Sequence, residues 1–129
     1  MESKLVHAFD RLTRDKGYGS RSEALRDLVR DNLVQQEWIS GQDETVGTVS
    51  LVFDHHHGDI TETLNSIEHD NLQLIVSTLH VHLDHHNCLE VLVVKGKPLE
   101  IKHISDRLIS TKGVKHGKLT IATTGKSIV

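Results

Sequence analysis

LQLIVSTLHVHLDHHNCLEVLVV, residues 72–94, is the stretch on which the fold turns. Apolar and polar residues alternate with period two on either side of DHHN, as they do in strands, and Asp84 to Asn87 are residues that tolerate a tight turn. A β-hairpin is predicted. The same alternation puts His80 and His82 on one face of the first strand, and Cys88, the only cysteine, lies just past the turn on the returning strand. Two imidazoles and a thiol therefore converge, provided the register pairs the same faces.

Upstream of the hairpin, TVGTVSLVF (45–53) alternates as a strand and is followed by a polar loop containing His55, His56 and His57, expected to be solvated, with an auxiliary site for weaker or excess metal as the alternative. Ile60, Leu64 and Ile67 then mark a short helix, with Asp59 as its expected N-cap, Glu62 three residues on, and an end close to His69. Downstream, Gly96 closes the hairpin and Ile101, Ile104 and Leu108 mark another helix, with Gly113 expected to cap it. KLTIA (118–122) reads as a last strand. The order βαββαβ is ferredoxin-like: a four-stranded antiparallel sheet with both helices on one face. The face left over predicts packing against another copy of the chain.

The first 40 residues follow a different period. Leu5, Phe9 and Leu12 recur at helical spacing between Ser3 and Lys16, which predicts a buried stripe. Gly17-Tyr18-Gly19 ends that helix. Ser20 with Glu23 three residues on is a capping-box pattern, and Ala24, Leu25, Leu28 and Leu33 carry a second helix to about Gln36. WISGQDET (38–45) shows no periodicity, so the organisation expected is an N-terminal unit over 1–38 and a second unit over 45–123.

Composition narrows the chemistry. Fifteen Lys plus Arg against 18 Asp plus Glu leave a net charge of −3, so bulk charge offers no case for nucleic acid or an anionic membrane. One cysteine cannot make an internal disulfide, and no apolar run of about 18 residues is present. A cytoplasmic location is expected. Ten of the 11 histidines lie after residue 54, a concentration that makes metal binding the leading expectation. Thiolate with imidazole excludes magnesium and calcium and leaves zinc, copper, nickel, cobalt or iron; a planar set of three nitrogens and one sulfur would suit nickel(II) or copper(II). The fourth ligand is open among His69, His85, His86 and a residue of a second chain. His103 and His116 read as surface residues.

With GYGSRSEALRDLVRDNL (17–33) and TLHVHLDHHNCLEV (78–91) side by side, the chain resembles the NikR nickel-responsive transcriptional repressors. Members join a ribbon-helix-helix DNA-binding domain to a ferredoxin-like, ACT-type nickel-binding domain, and the resemblance spans about Ser3 to Leu119. It implies one square-planar nickel ion per subunit, held by His80, His82 and Cys88 of one chain and His69 of a facing chain, with Glu90 supporting the ligands. It also implies a homotetramer, built as a dimer of dimers, that represses nickel-uptake genes by holding operator DNA. Glu23 and Asp27 match acidic residues able to hold a second cation, and Arg21 and Ser22 stand where a helix N-terminus touches DNA phosphate.

Ribbon-helix-helix proteins read bases with a strand ahead of the first helix, and here the first helix is predicted almost from Met1. The expectation is therefore an N-terminal unit lacking that strand and pairing weakly. Two other functions fit some of these features. One is a nickel buffer that does not read DNA; the other is a metalloenzyme using Glu90 or Asp84 as base. The preferred expectation is a regulator without catalysis.

Overall fold

The computed structural model describes residues 2–129. Two helices, α1 (Ser3–Asp15) and α2 (Arg21–Ser40), precede β1 (Thr45–Asp54), α3 (Ile60–Asp70), β2 (Ile75–His82), β3 (Asn87–Gly96), α4 (Pro98–Ile109) and β4 (Val114–Ile121). The strands form one antiparallel sheet in the order β2-β3-β1-β4. This is the α+β, ferredoxin-like arrangement that the alternation predicts.

Period two decides which face is covered. Along β1 the buried residues include Val49, Leu51 and Phe53, and along β3 they include Cys88, Glu90, Leu92 and Val94. These inward side chains meet Ile60, Leu64 and Ile67 of α3 and Ile101, Ile104 and Leu108 of α4 in one core. Burying a side chain of this size stabilises by roughly 1.5–3 kcal/mol. The opposite face remains open, and Leu79 and Val81 on the edge strand β2 stay exposed.

Local signals behave unevenly. Ser20 caps α2 as expected: its Oγ accepts the Glu23 N–H at 3.2 Å, while Glu23 Oε2 accepts the Gly19 N–H at 3.2 Å. Asp59 precedes α3 without a side-chain capping bond. Gly113 does not cap α4, which ends at Ile109 with Ser110 after it. Instead, Gly113 turns the chain into β4 at φ +105°, and a Cβ there would lie 2.8 Å from Ile60 Cδ1.

Helix α2 runs four residues beyond Gln36 because its end has something to bury. Trp38 lies in the sheet core, and its Nε1–H donates to the Ala122 carbonyl at 2.9 Å. Glu37 accepts from Thr123 Oγ1 at 3.0 Å, and Gly41 then stops the helix at φ +66°. The stripe predicted on α1 is not buried within one chain: Leu5 and Leu12 are exposed, as are Leu25, Leu28 and Leu33 of α2. Two helices side by side cannot enclose their own apolar faces, so a further layer is needed. Among the described residues no helix is long and apolar enough to cross a membrane.

Candidate metal centre

Antiparallel pairing of β2 with β3 sets His82 opposite Cys88 and His80 opposite Glu90, so all four share the helix-covered face. β1 pairs with the other edge of β3, with Phe53 opposite Cys88. Two residues past Phe53, the chain continues on the same face with His55, whose N–H donates to the His86 carbonyl at 3.0 Å and ties the loop to the hairpin turn. That turn is held by Asp84, whose carboxylate accepts from the backbone N–H groups of His86 and Asn87 and from the Asn87 amide. These bonds hold the Asp84 carboxyl well below the ordinary carboxylate range, Asn87 contributing most.

His55, His82 and Cys88 meet at this end of the sheet. Cys88 Sγ lies 3.2 Å from His55 Nδ1 and 3.4 Å from His82 Nδ1. Among the described residues they form the one group of three such side chains whose ligand atoms all lie within 4.8 Å of one another. The sulfur is fully buried. Burial, and after it the nearby Asp54, Asp84 and Glu90 carboxylates, push the Cys88 thiol up, so it holds its proton until a metal displaces it. One thiolate with imidazoles is a donor set that suits nickel, copper or zinc.

His80 stands beside this group without being one of the three. Its ring centroid is 5.6 Å from that of His82, and its Nδ1 is 3.5 Å from Glu90 Oε2. A carboxylate on one ring nitrogen orients the imidazole and leaves Nε2 free to bind a metal. Glu90 is itself buried, with Oε1 unpartnered, and Glu68 on α3 has an unpartnered buried oxygen too. Burial first, and the Glu90 carboxylate next, push Glu68 up to about 8. At neutral pH Glu68 therefore keeps a proton that can serve the acceptor beside it.

The remaining sequence candidates lie elsewhere. His69, on the last turn of α3, is exposed and outside the three-residue group. His85 and His86 are exposed in the turn, as are His56, His57, His103 and His116 on the surface. The expectation of a solvated loop fails for His55, which is partly buried against Cys88 because the β1 alternation carries on for one more inward position. Arg21 is engaged by Asp10 through two 2.7 Å bonds, while Ser22 is exposed. Glu23 serves the α2 cap, and Asp27 accepts the Tyr18 hydroxyl at 2.6 Å.

Comparison with known proteins converges on one family. A family profile described as the NikR C terminal nickel binding domain matches residues 46–122. A Nitratidesulfovibrio vulgaris protein assigned as a nickel-responsive regulator is 53% identical over 128 residues, covering 99% of this chain and 92% of the relative. A Geobacter metallireducens protein with the same assignment is 56% identical over 128 residues, with the same coverage. A Pyrococcus horikoshii protein, also so assigned, is 50% identical over 127 residues, covering 98% of this chain and 92% of the relative. The solved structure of an uncharacterised Thermotoga maritima protein superposes with a TM-score of 0.57 at 16% identity. It covers 63% of this chain and 100% of that one, a likeness of fold alone.

Proposed function

The chain belongs to the NikR family of nickel-responsive regulators, and on that premise we propose that it is a DNA-binding repressor of nickel-uptake genes, switched by one nickel(II) ion per subunit. The observation that carries this reading is the shared face of His80, His82, Cys88 and Glu90 at one end of the hairpin. His80, His82 and Cys88 would hold the ion, and Glu90 would orient His80 through Nδ1. His69 of the partner subunit would supply the fourth ligand, and its exposure on α3 leaves it free to do so. When bound, the ion would supply the bonds that tie His69 of the partner subunit to the hairpin residues His80, His82 and Cys88.

The chain's own surfaces support assembly. The open sheet face with Leu79 and Val81, and the exposed Leu5, Leu12, Leu25 and Leu28 of the helices, leave two separate apolar faces. Two faces per chain suffice to build a dimer of dimers, and the metal ligands, on the helix-covered side of the edge strand β2, would add a link of their own between subunits. A ligand shared across a junction favours one arrangement of subunits over the rest. That differential affinity is what a metal switch requires.

The test is a nickel titration followed by absorption. A thiolate-to-nickel charge-transfer band is expected to rise to saturation at one ion per subunit and to be absent in Cys88→Ala. A band that persists in Cys88→Ala overturns the ligand assignment.

A further inference from the structure

After β4 the chain doubles back along α2. The Ala122 carbonyl accepts from the Trp38 indole at 2.9 Å and from the Thr45 hydroxyl at 3.2 Å. Thr123 Oγ1 donates to Glu37 at 3.0 Å and accepts the Gly125 N–H at 3.1 Å, and Gly125 turns the chain at φ +82°. The Val129 carbonyl then accepts from Arg30 Nε at 2.8 Å. Residues 122–129 therefore run antiparallel to α2, from Trp38 on its last turns to Arg30, a span of about 12 Å. We propose that residues 123–129 are a strap that fixes the angle of the two N-terminal helices on the sheet, and that its release lets them swing about the end of α2.

Without the strap, α2 is held at one end. Trp38 is buried in the sheet core, and Val34, one turn up, is half-buried against it. Beyond that point the helix leaves the sheet, with Leu25, Leu28, Val29 and Leu33 exposed. Residues 41–44, which join α2 to β1, form neither helix nor strand, so the linker transmits no direction. Among the described residues, every hydrogen bond between α1 or α2 and the sheet unit ends on Ala122, Thr123 or Val129. A rod anchored at one end turns, and a second anchor stops it. Arg30 is that second anchor.

The same contacts make the strap releasable. Residues 124–127 are exposed, the Arg30 bond faces solvent, and Val129 is 94% exposed. Segments held in this way open locally at far lower cost than a packed core. Trp38, buried below them, stays as the pivot. A swing of the helices over an unchanged sheet has to break the Arg30 bond, so the strap sets how often such a swing occurs. None of these residues belongs to the metal centre.

The experiment compares the full chain with two variants, deletion of residues 123–129 and Arg30→Met, by NMR of backbone amides in α1, α2, β1 and β3. Residual dipolar couplings read relative orientation, and relaxation dispersion reads hinge motion on the microsecond to millisecond scale. Melting temperature confirms that both variants fold. In both, the couplings of α1 and α2 are expected to shrink relative to those of β1 and β3, and exchange in the helices to grow. Loss of the Arg30 bond raises the swung population at least about twofold, and loss of both the Arg30 and Glu37 bonds at least about fivefold. Helices and strands that keep one common alignment in both variants overturn the proposal. Equal loosening of β1 and β3 overturns it as well, since the segment would then be part of the core. So does an effect of the deletion that Arg30→Met does not share, because the hold would then lie below Arg30.

Discussion

His82 stands directly opposite Cys88 across the β2–β3 ladder, with its Nδ1 3.4 Å from the buried sulfur. That pairing lets a hairpin bring two potential metal ligands together: one strand presents an imidazole, the other a thiol, and no long loop has to be ordered to do it.

Because burial keeps the Cys88 thiol protonated, a metal must expel a proton to bind. Apparent nickel affinity is therefore expected to rise by up to about tenfold per pH unit through the neutral range, with proton release on binding. Calorimetry in buffers of different ionisation enthalpy reads both. A pH-independent affinity would mean that the sulfur is not a ligand.

Glu90→Gln keeps the size of the side chain and removes the charge that orients His80. Nickel affinity is expected to fall about ten- to a hundredfold, as loss of a ligand's outer partner usually costs. Equilibrium dialysis against a competing chelator measures it, and an unchanged affinity would detach His80 from the nickel site.

Glu68 gives the metal-free protein a pH dependence of definite sign. Its carboxyl, ordinarily near 4.5, is pushed up to about 8, so the folded chain keeps a proton that the unfolded chain releases. The stabilisation is complete below about 4.5 and is lost as pH rises through about 8. For a half-buried group, solvent screening limits the effect to ~1–2 kcal/mol. Melting curves between about pH 6 and 9 should show stability falling with pH in the parent chain and a flatter profile in Glu68→Gln. The same slope in both would assign the dependence to other groups.

Trp38 joins α2 to the sheet. Trp38→Phe removes the bond to Ala122 and part of the buried ring, for an expected cost of about 1–2 kcal/mol, and Trp38→Ala about 3–5 kcal/mol. Urea unfolding gives both values. A neutral Trp38→Ala would show that α2 does not depend on the core for its last turn.

Much of this architecture is written in two periods. Alternation along β1 and β3 specifies the covered face, and alternation across the hairpin is enough to place His80, His82, Cys88 and Glu90 together. His55 is hidden from such reasoning for a different cause: it lies 33 residues from Cys88, and their meeting depends on β1 pairing with β3 in one particular register. The signal is present in Val49, Leu51 and Phe53, whose inward positions continue to His55. Helix α2 outruns its apolar pattern because the pattern that matters at Trp38 belongs to the sheet core. The stripes of Leu5, Leu12, Leu25 and Leu28 are apolar as their spacing indicates, but one chain offers them nothing to pack against.

Nickel bound at the hairpin is expected to license the protein to hold DNA. The most direct measurement is protection of the promoter region of a nickel-uptake operon from nuclease digestion, with and without nickel, by the parent chain and by Cys88→Ala. Protection confined to a discrete site, present only with nickel and absent in Cys88→Ala, is the predicted result. Nickel binding at full stoichiometry with no protected site, or protection that ignores nickel and Cys88 alike, would contradict it.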